Sequence, residues 1–159
     1  MKAPAPVLLA WHYTIHDKRA AIDAAGELRP ADAFIGANER PVIWFSLNQR
    51  WEPTASKGII DAKTGARRTA TIAEMVELGG GPLLRYGIAP RLLLPSNELR
   101  LRARISGRMW RGMVASGRAI GANPSDWFGS LQPVAVAQCV VQVSTDGRTW
   151  VDAATGGEG

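Results

Sequence analysis

Apolar residues along this chain come in short runs rather than long periodic stretches. Val7 to Tyr13, Val42 to Leu47, Trp127 to Leu131 and Pro133 to Ser144 are rich in β-branched and aromatic side chains, the pattern of buried strands. Between the first two, Asp17 to Ala25 consists of helix formers followed by Gly26, which predicts a short helix; Thr14 is placed to cap it. Ala31 to Glu39 reads as a connecting loop and Asn48 to Gly65 as a long, polar, irregular one. Thr69 to Leu78 opens on capping residues and closes on Gly79-Gly80-Gly81-Pro82, predicting a helix with a firm stop. Leu83 to Leu94, interrupted by Gly87 and Pro90, predicts one or two short strands.

Two periods compete in the next segment. Leu99 to Ile105 alternates strictly between apolar residues and arginine, a strand pattern, yet Arg100, Arg104, Arg108, Arg111 and Arg118 also share one helical face. Ser106-Gly107 favours a strand or short separate element, then a helix from about Arg108 to Ile120 that ends at Gly121-Ala122-Asn123-Pro124. Thr145-Asp146-Gly147-Arg148 predicts a hairpin turn into Thr149-Trp150-Val151. The expectation is a single α+β domain over residues 1–152, with no regular βαβ alternation and a frayed tail over 153–159.

Composition narrows the class. With 46% hydrophobic residues and six tryptophans in 159 residues, the chain has material for a core. The run Val7 to Trp11 is too short for a signal or spanning segment, so a soluble, cytoplasmic protein without a membrane partner is expected. The lone Cys139 excludes an intrachain disulfide and a multi-cysteine zinc site; its apolar neighbours suggest a buried thiol rather than a nucleophile. His12 and His16 are four apart, but His12 falls in a strand and no Glu follows as in a zinc-protease helix; no metal is expected. Gly79-Gly80-Gly81-Pro82 lacks the lysine and preceding strand of a P-loop.

Charge is unevenly spread. Between Arg85 and Arg118 lie eight arginines and one acid, Glu98, so that segment is +7 in a chain of net +5. Guanidinium groups pair with phosphate in bidentate fashion, and Arg100, Arg104, Arg108 and Arg111 are candidate nucleic-acid or phosphate contacts. A solvated arginine-rich face is the competing reading.

Two short motifs carry the most chemical information. Trp11-His12-Tyr13-Thr14 and Val42-Ile43-Trp44-Phe45-Ser46 flank the predicted helix and the phrase Gly26-Glu27-Leu28-Arg29-Pro30. A histidine-bearing strand, a helix ending in Gly-x-Leu and an aromatic-Phe-Ser strand, in that order, resemble the first half of the NAD-binding core of the ADP-ribosyltransferase superfamily. The resemblance implies a split antiparallel β-sheet core with a few short helices, and NAD as substrate. His12 and Thr14 match the His-x-Thr motif and would hold a ribose. Trp44-Phe45-Ser46 matches the Tyr-Phe-Ser segment of the poly-ADP-ribose polymerase-like branch. Trp44 would stack on nicotinamide, with Tyr13 as a second ring, and Phe45 and Ser46 would complete that wall.

The superfamily also places a glutamate at the opening of a late strand. The corresponding stretch here, Ala122 to Ser130, contains no glutamate, and Asp126 is its one carboxylate. Asp126 and His12 are therefore the candidate catalytic residues. The resemblance implies a toxin or effector transferring ADP-ribose to a macromolecular acceptor, with DNA or RNA suggested by the arginines, and a neutralising partner protein. Two other readings stay open: a non-catalytic module for NAD, ADP-ribose or a nucleotide, and a basic nucleic-acid-binding domain whose aromatics stack bases.

Overall fold

The computed structural model describes residues 8–31 and 36–154. Its elements in chain order are β1 (Ala10–Thr14), α1 (Arg19–Ala25), β2 (Glu27–Leu28), β3 (Ile43–Ser46), β4 (Gly58–Ile60), β5 (Arg67–Thr69), α2 (Ile72–Gly79), β6 (Leu83–Ile88), β7 (Leu94–Pro95), α3 (Ser96–Arg102), α4 (Gly107–Ala119), β8 (Trp127–Ser130), β9 (Val134–Ala135), β10 (Val140–Ser144) and β11 (Val151–Asp152). Seven strands form one sheet in the order β11-β10-β6-β1-β3-β8-β7, with β2-β9 and β4-β5 as small antiparallel pairs. The architecture is mixed α+β with an antiparallel sheet and short helices. No helix among the described residues is long and apolar enough to cross a membrane.

The central sheet consists of two well-laddered parts. β1 pairs with β6 over all five of its residues, from Ala10↔Ile88 to Thr14↔Leu84, and β3 pairs with β8 from Ile43↔Ser130 to Ser46↔Trp127. Between β1 and β3, however, the register contains only Trp11↔Ser46. Past that pair the His12 imidazole reaches across the seam, its Nδ1 2.8 Å from the Trp44 carbonyl oxygen.

Alternation along the strands sorts the core into two faces. Ala10, Ile43, Phe45, Leu84, Tyr86 and Ile88 pack together on one. Trp11, Tyr13 and Leu83 join Ile15 and Met75 in a second cluster, and Val42, Leu99, Ala103 and Ile105 form a third, against which Trp44 and Trp110 rest. β6 explains one unusual position: Gly87 stands where a Cβ would lie 2.6 Å from the Trp11 ring, so only glycine admits that indole.

Several expectations need correcting. Thr14 remains in β1 and caps nothing; the 3-10 turn at His16–Lys18 starts from Ile15 without a side-chain cap. Gly26 does close α1, in the left-handed conformation at φ 70°. The loop 48–65 contains a 3-10 turn at Pro53–Ala55 and the strand β4. α2 starts two residues later than its capping signals suggest, because Thr71 is the N-cap, in a full capping box with Glu74. The run Pro133–Ser144 is split into β9, a 3-10 turn at Val136–Gln138 and β10. Residues 32–35 of the connecting loop and 155–159 of the tail lie outside the described residues. Ala153 and Ala154 are held: the Ala153 amide donates to the Val141 carbonyl and the Ala154 carbonyl accepts from Arg19.

The larger correction is α3. Leu99 to Arg102 is helical, not extended. Leu99 and Ala103, four apart, are fully buried, while Leu101, which a strand would bury beside them, is 72% exposed. The period is helical, and the alternation with arginine coincides with it over too short a run to separate the two. α3 ends in a Schellman motif: the Ile105 amide donates to Arg100 and the Arg104 amide to Leu101, with Arg104 left-handed at φ 59°.

Candidate functional site

A cavity of about 510 Å³ opens where the β1–β3 ladder gives out. Its sheet side is formed by Trp11, His12 and Tyr13 of β1, Trp44 to Ser46 of β3, and Trp127 of β8. The loop at Glu52–Ala55 and one face of α4, at Met113, Ser116, Gly117 and Ile120, complete it. Gly117 is what lets α4 come this close, since a Cβ there would lie 2.7 Å from the Trp127 ring.

Most of the residues singled out from sequence meet here. His12, Tyr13, Trp44, Phe45 and Ser46 all line the cavity. Burial pulls the His12 imidazole below its ordinary pKa, outweighing the opposing effect of its bond to Trp44. The ring is therefore neutral near pH 7. A carbonyl only accepts, so Nδ1 carries the proton and Nε2 keeps its lone pair as an acceptor. Trp44 stacks at 26° on Trp110 and meets Trp127 edge-on, so two other tryptophans, themselves edge-to-face, fix its plane. Phe45 is 2% exposed and its ring centre lies 5.8 Å from that of His12. The Tyr13 hydroxyl donates to the Asn48 carbonyl and accepts from Arg85, and burial pushes its pKa up to about 12.

Two candidates fall outside. Thr14, paired with Leu84, does not line the cavity. Neither does Asp126, which ends the 3-10 turn at Pro124–Asp126 and whose carbonyl accepts from the Leu47 amide. Burial, and secondarily the negative charge of Glu52, raise the Asp126 pKa.

The carboxylate that does line the cavity is Glu52, 6% exposed. Its Oε1 accepts from Ser46 Oγ at 2.9 Å and from Trp127 Nε1 at 3.1 Å. Its Oε2 accepts from the Thr54 amide at 3.0 Å and the Thr54 hydroxyl at 2.9 Å. Sequence reading passed over it inside an irregular loop, although it is the sole carboxylate between Glu39 and Asp61 and stands between a tryptophan and a proline. Ser46 is committed to it, with its Oγ also accepting from the Asn48 amide at 3.1 Å.

The loop carrying Glu52 is clamped from the far side of the sheet seam. Arg85 donates to the Gln49 carbonyl at 2.6 Å and to Gln142 Oε1 through Nε and Nη2. Its guanidinium lies 3.8 Å from the Trp11 ring centre and 4.4 Å from that of Trp150. Trp11 donates to Gln49 Oε1 and Trp150 to the Arg50 carbonyl. Arg85 is thus a buried clamp and no member of a surface arginine cluster.

Comparisons with protein-family models, curated proteins and solved structures return no match. The site's chemistry therefore rests on its own residues. They supply aromatic faces, one neutral imidazole acceptor and one buried carboxylate. Cys139 offers no competing nucleophile, because burial raises its thiol pKa to about 11 and its Sγ sits 3.5 Å from the Ala135 carbonyl.

Proposed function

We propose that the cavity binds NAD and that the protein is an ADP-ribosyltransferase-like enzyme of the toxin or effector type, passing ADP-ribose to a macromolecular acceptor. The observation that carries this is the convergence of His12, the Trp44 and Tyr13 rings and buried Glu52 on one cavity at the seam of the sheet. The single registered pair between β1 and β3 favours the finer reading of the fold, a split antiparallel ADP-ribosyltransferase-like core.

In this proposal His12 Nε2 accepts a hydrogen bond from a ribose hydroxyl, and the aromatic wall takes the face of the nicotinamide ring. Cleavage of the bond between ribose C1′ and nicotinamide sends its electron pair out with nicotinamide and leaves positive charge on the ribose. Glu52, itself buried, stabilises that charge by its own negative charge. An acceptor nucleophile then bonds to C1′ and gives up its proton to solvent or to the displaced base. Glu52 replaces Asp126 as the acid of the site.

Glu52 also favours a second reading. Its two oxygens already accept four hydrogen bonds, about the full capacity of a carboxylate, so it has little left for a ribose hydroxyl. A non-catalytic module for NAD or ADP-ribose would have the same cavity. Calorimetric NAD binding and nicotinamide release separate the two. The transferase reading expects turnover that is lost in His12→Ala and Glu52→Gln and kept in Asp126→Asn. Binding without release would leave the module, and absence of NAD binding would sink both.

A further inference from the structure

α4 has a second working face. Turned away from the cavity, Trp110, Arg111, Val114 and Arg118 line a separate groove of about 460 Å³, bounded by Ser96 and Pro124. We propose that this groove binds single-stranded nucleic acid, through phosphates at Arg111 and Arg118, with Arg100 alongside, and a base against Trp110. The proposal does not rest on the dinucleotide reading of the main cavity.

The arginines here are set apart by clustering along α3 and α4, since Arg50, Arg67, Arg91 and Arg148 likewise make no ion pair among the described residues. Among the described residues, none of Arg100, Arg102, Arg104, Arg108, Arg111 and Arg118 makes an ion pair or a side-chain hydrogen bond, whereas Arg19, Arg29 and Arg68 each pair with an acid. Arg100 Nε is buried with no partner. The guanidinium ends of Arg100 and Arg111 converge over the first turn of α4, at 3.1 and 3.2 Å from where a Cβ on Gly107 would stand. Two like charges brought together without a carboxylate repel one another, and an anion between them removes that repulsion. The acids that flank this segment in sequence, exposed Glu98 and half-buried Asp126, do not line the groove.

Geometry selects the occupant. Arg111 and Arg118 are seven residues apart on one helix, about 10 Å along its axis, which is further than a single phosphate spans. With the Arg111 guanidinium turned back towards Gly107, a ligand that engages both arginines repeats its negative charge. Trp110 in the same groove adds a π face, which a polynucleotide can use for a base and an acidic peptide cannot. Arg104 and Arg108, singled out from sequence, are exposed and do not line the groove. Because the groove and the cavity occupy different faces of α4, a bound strand is anchored beside the cavity rather than inside it.

The test is fluorescence anisotropy of a labelled oligothymidylate over a range of salt concentrations. Neutralising two phosphates of a single strand gives a log–log salt slope of about −1.4 from those contacts. The variant Arg111→Gln/Arg118→Gln is expected to bind about tenfold or more weakly at low salt, with a slope smaller by about that amount. Trp110→Leu should weaken binding while leaving the slope in place. The control Arg29→Gln/Arg67→Gln, with the same loss of charge, should change little. Melting temperatures check that each variant is folded, and Arg111→Lys/Arg118→Lys, which keeps the charge, should retain most of the slope. The proposal is overturned if the groove variant binds no more weakly than the control, or if polyglutamate of equal charge competes as well as unlabelled oligothymidylate.

Discussion

Replacing Glu52 by glutamine exposes how the site is held together. The carboxylate faces four donors: Ser46 Oγ and Trp127 Nε1 on one oxygen, the Thr54 amide and hydroxyl on the other. An amide keeps one acceptor and turns the other atom into a donor. If its NH2 faces Thr54, the hydroxyl can rotate to accept but the backbone N–H cannot. If it faces Ser46 and Trp127, the serine can accept but the indole N–H cannot. Either orientation leaves one donor against a donor in a buried site, costing about 1–3 kcal/mol, and loss of the charge-assisted character adds about 1 kcal/mol more. Glu52→Gln should therefore destabilise by about 2–4 kcal/mol, a large part of the 5–15 kcal/mol typical of a domain. Trp127→Phe removes the indole donor and so gives the glutamine one orientation free of conflict. The double variant should be less destabilised than the sum of the singles by about 1–2 kcal/mol. Urea unfolding of the four proteins at pH 7 measures the cycle. Additivity within about 0.5 kcal/mol would show that the indole N–H does not matter to residue 52 and would refute the argument.

Two further outcomes follow from local structure. Arg104 holds a left-handed conformation at φ 59° at the end of α3, so Arg104→Gly should stabilise by about 1 kcal/mol in denaturant unfolding, and a loss of stability would contradict the Schellman assignment. His12 binds a proton less readily in the folded chain than at its ordinary value of 6.5, so the stability it contributes is present above pH 6.5 and declines as pH falls below it. The decline is at most about 1.4 kcal/mol per pH unit for this one proton, and His12→Gln should flatten it between pH 5 and 6.5; an unchanged slope would locate the titration elsewhere.

Part of the local order is legible in the sequence, although Thr14 caps nothing and Leu99 to Arg102 is helical rather than extended. α2 follows from Thr71, Glu74 and Gly80, whose capping bonds lie within the helix's own ends. β1 and β3 follow from aromatic and β-branched runs, and His12, Trp44 and Ser46 come together because those strands are neighbours. Glu52 could not be read in the same way. Its place depends on Ser46 and on Trp127, 75 residues further along, and its loop is fixed by Arg85 and Trp150. Arg85 was hidden for a related reason. Counted along the chain it opens an arginine-rich segment, but on β6 it alternates with buried residues and shares a face with Leu83 and Gly87, under Trp11. Leu101 shows the limit of periodicity itself, because seven residues of alternation fit a strand and the last turn of α3 with its cap alike until its exposure is known.

The proposed transferase reaction, with its cationic transition state, bears on how the two buried charges are held. Glu52 and Arg85 are the charged side chains buried among the described residues, and they are not joined in an ion pair. Each is solvated separately. Arg85 rests between the Trp11 and Trp150 rings and donates to amide and carbonyl oxygens, while Glu52 is surrounded by hydroxyl, indole and amide donors. A salt bridge between them would have cancelled the negative charge locally and made both groups structural. Neutral dipoles satisfy the hydrogen bonds of Glu52 without removing its net charge. In the proposed reaction, a carboxylate held in this way, beside an aromatic wall and a neutral imidazole, would meet positive charge at the ribose without rearrangement, whereas a non-catalytic module would have no such charge to meet.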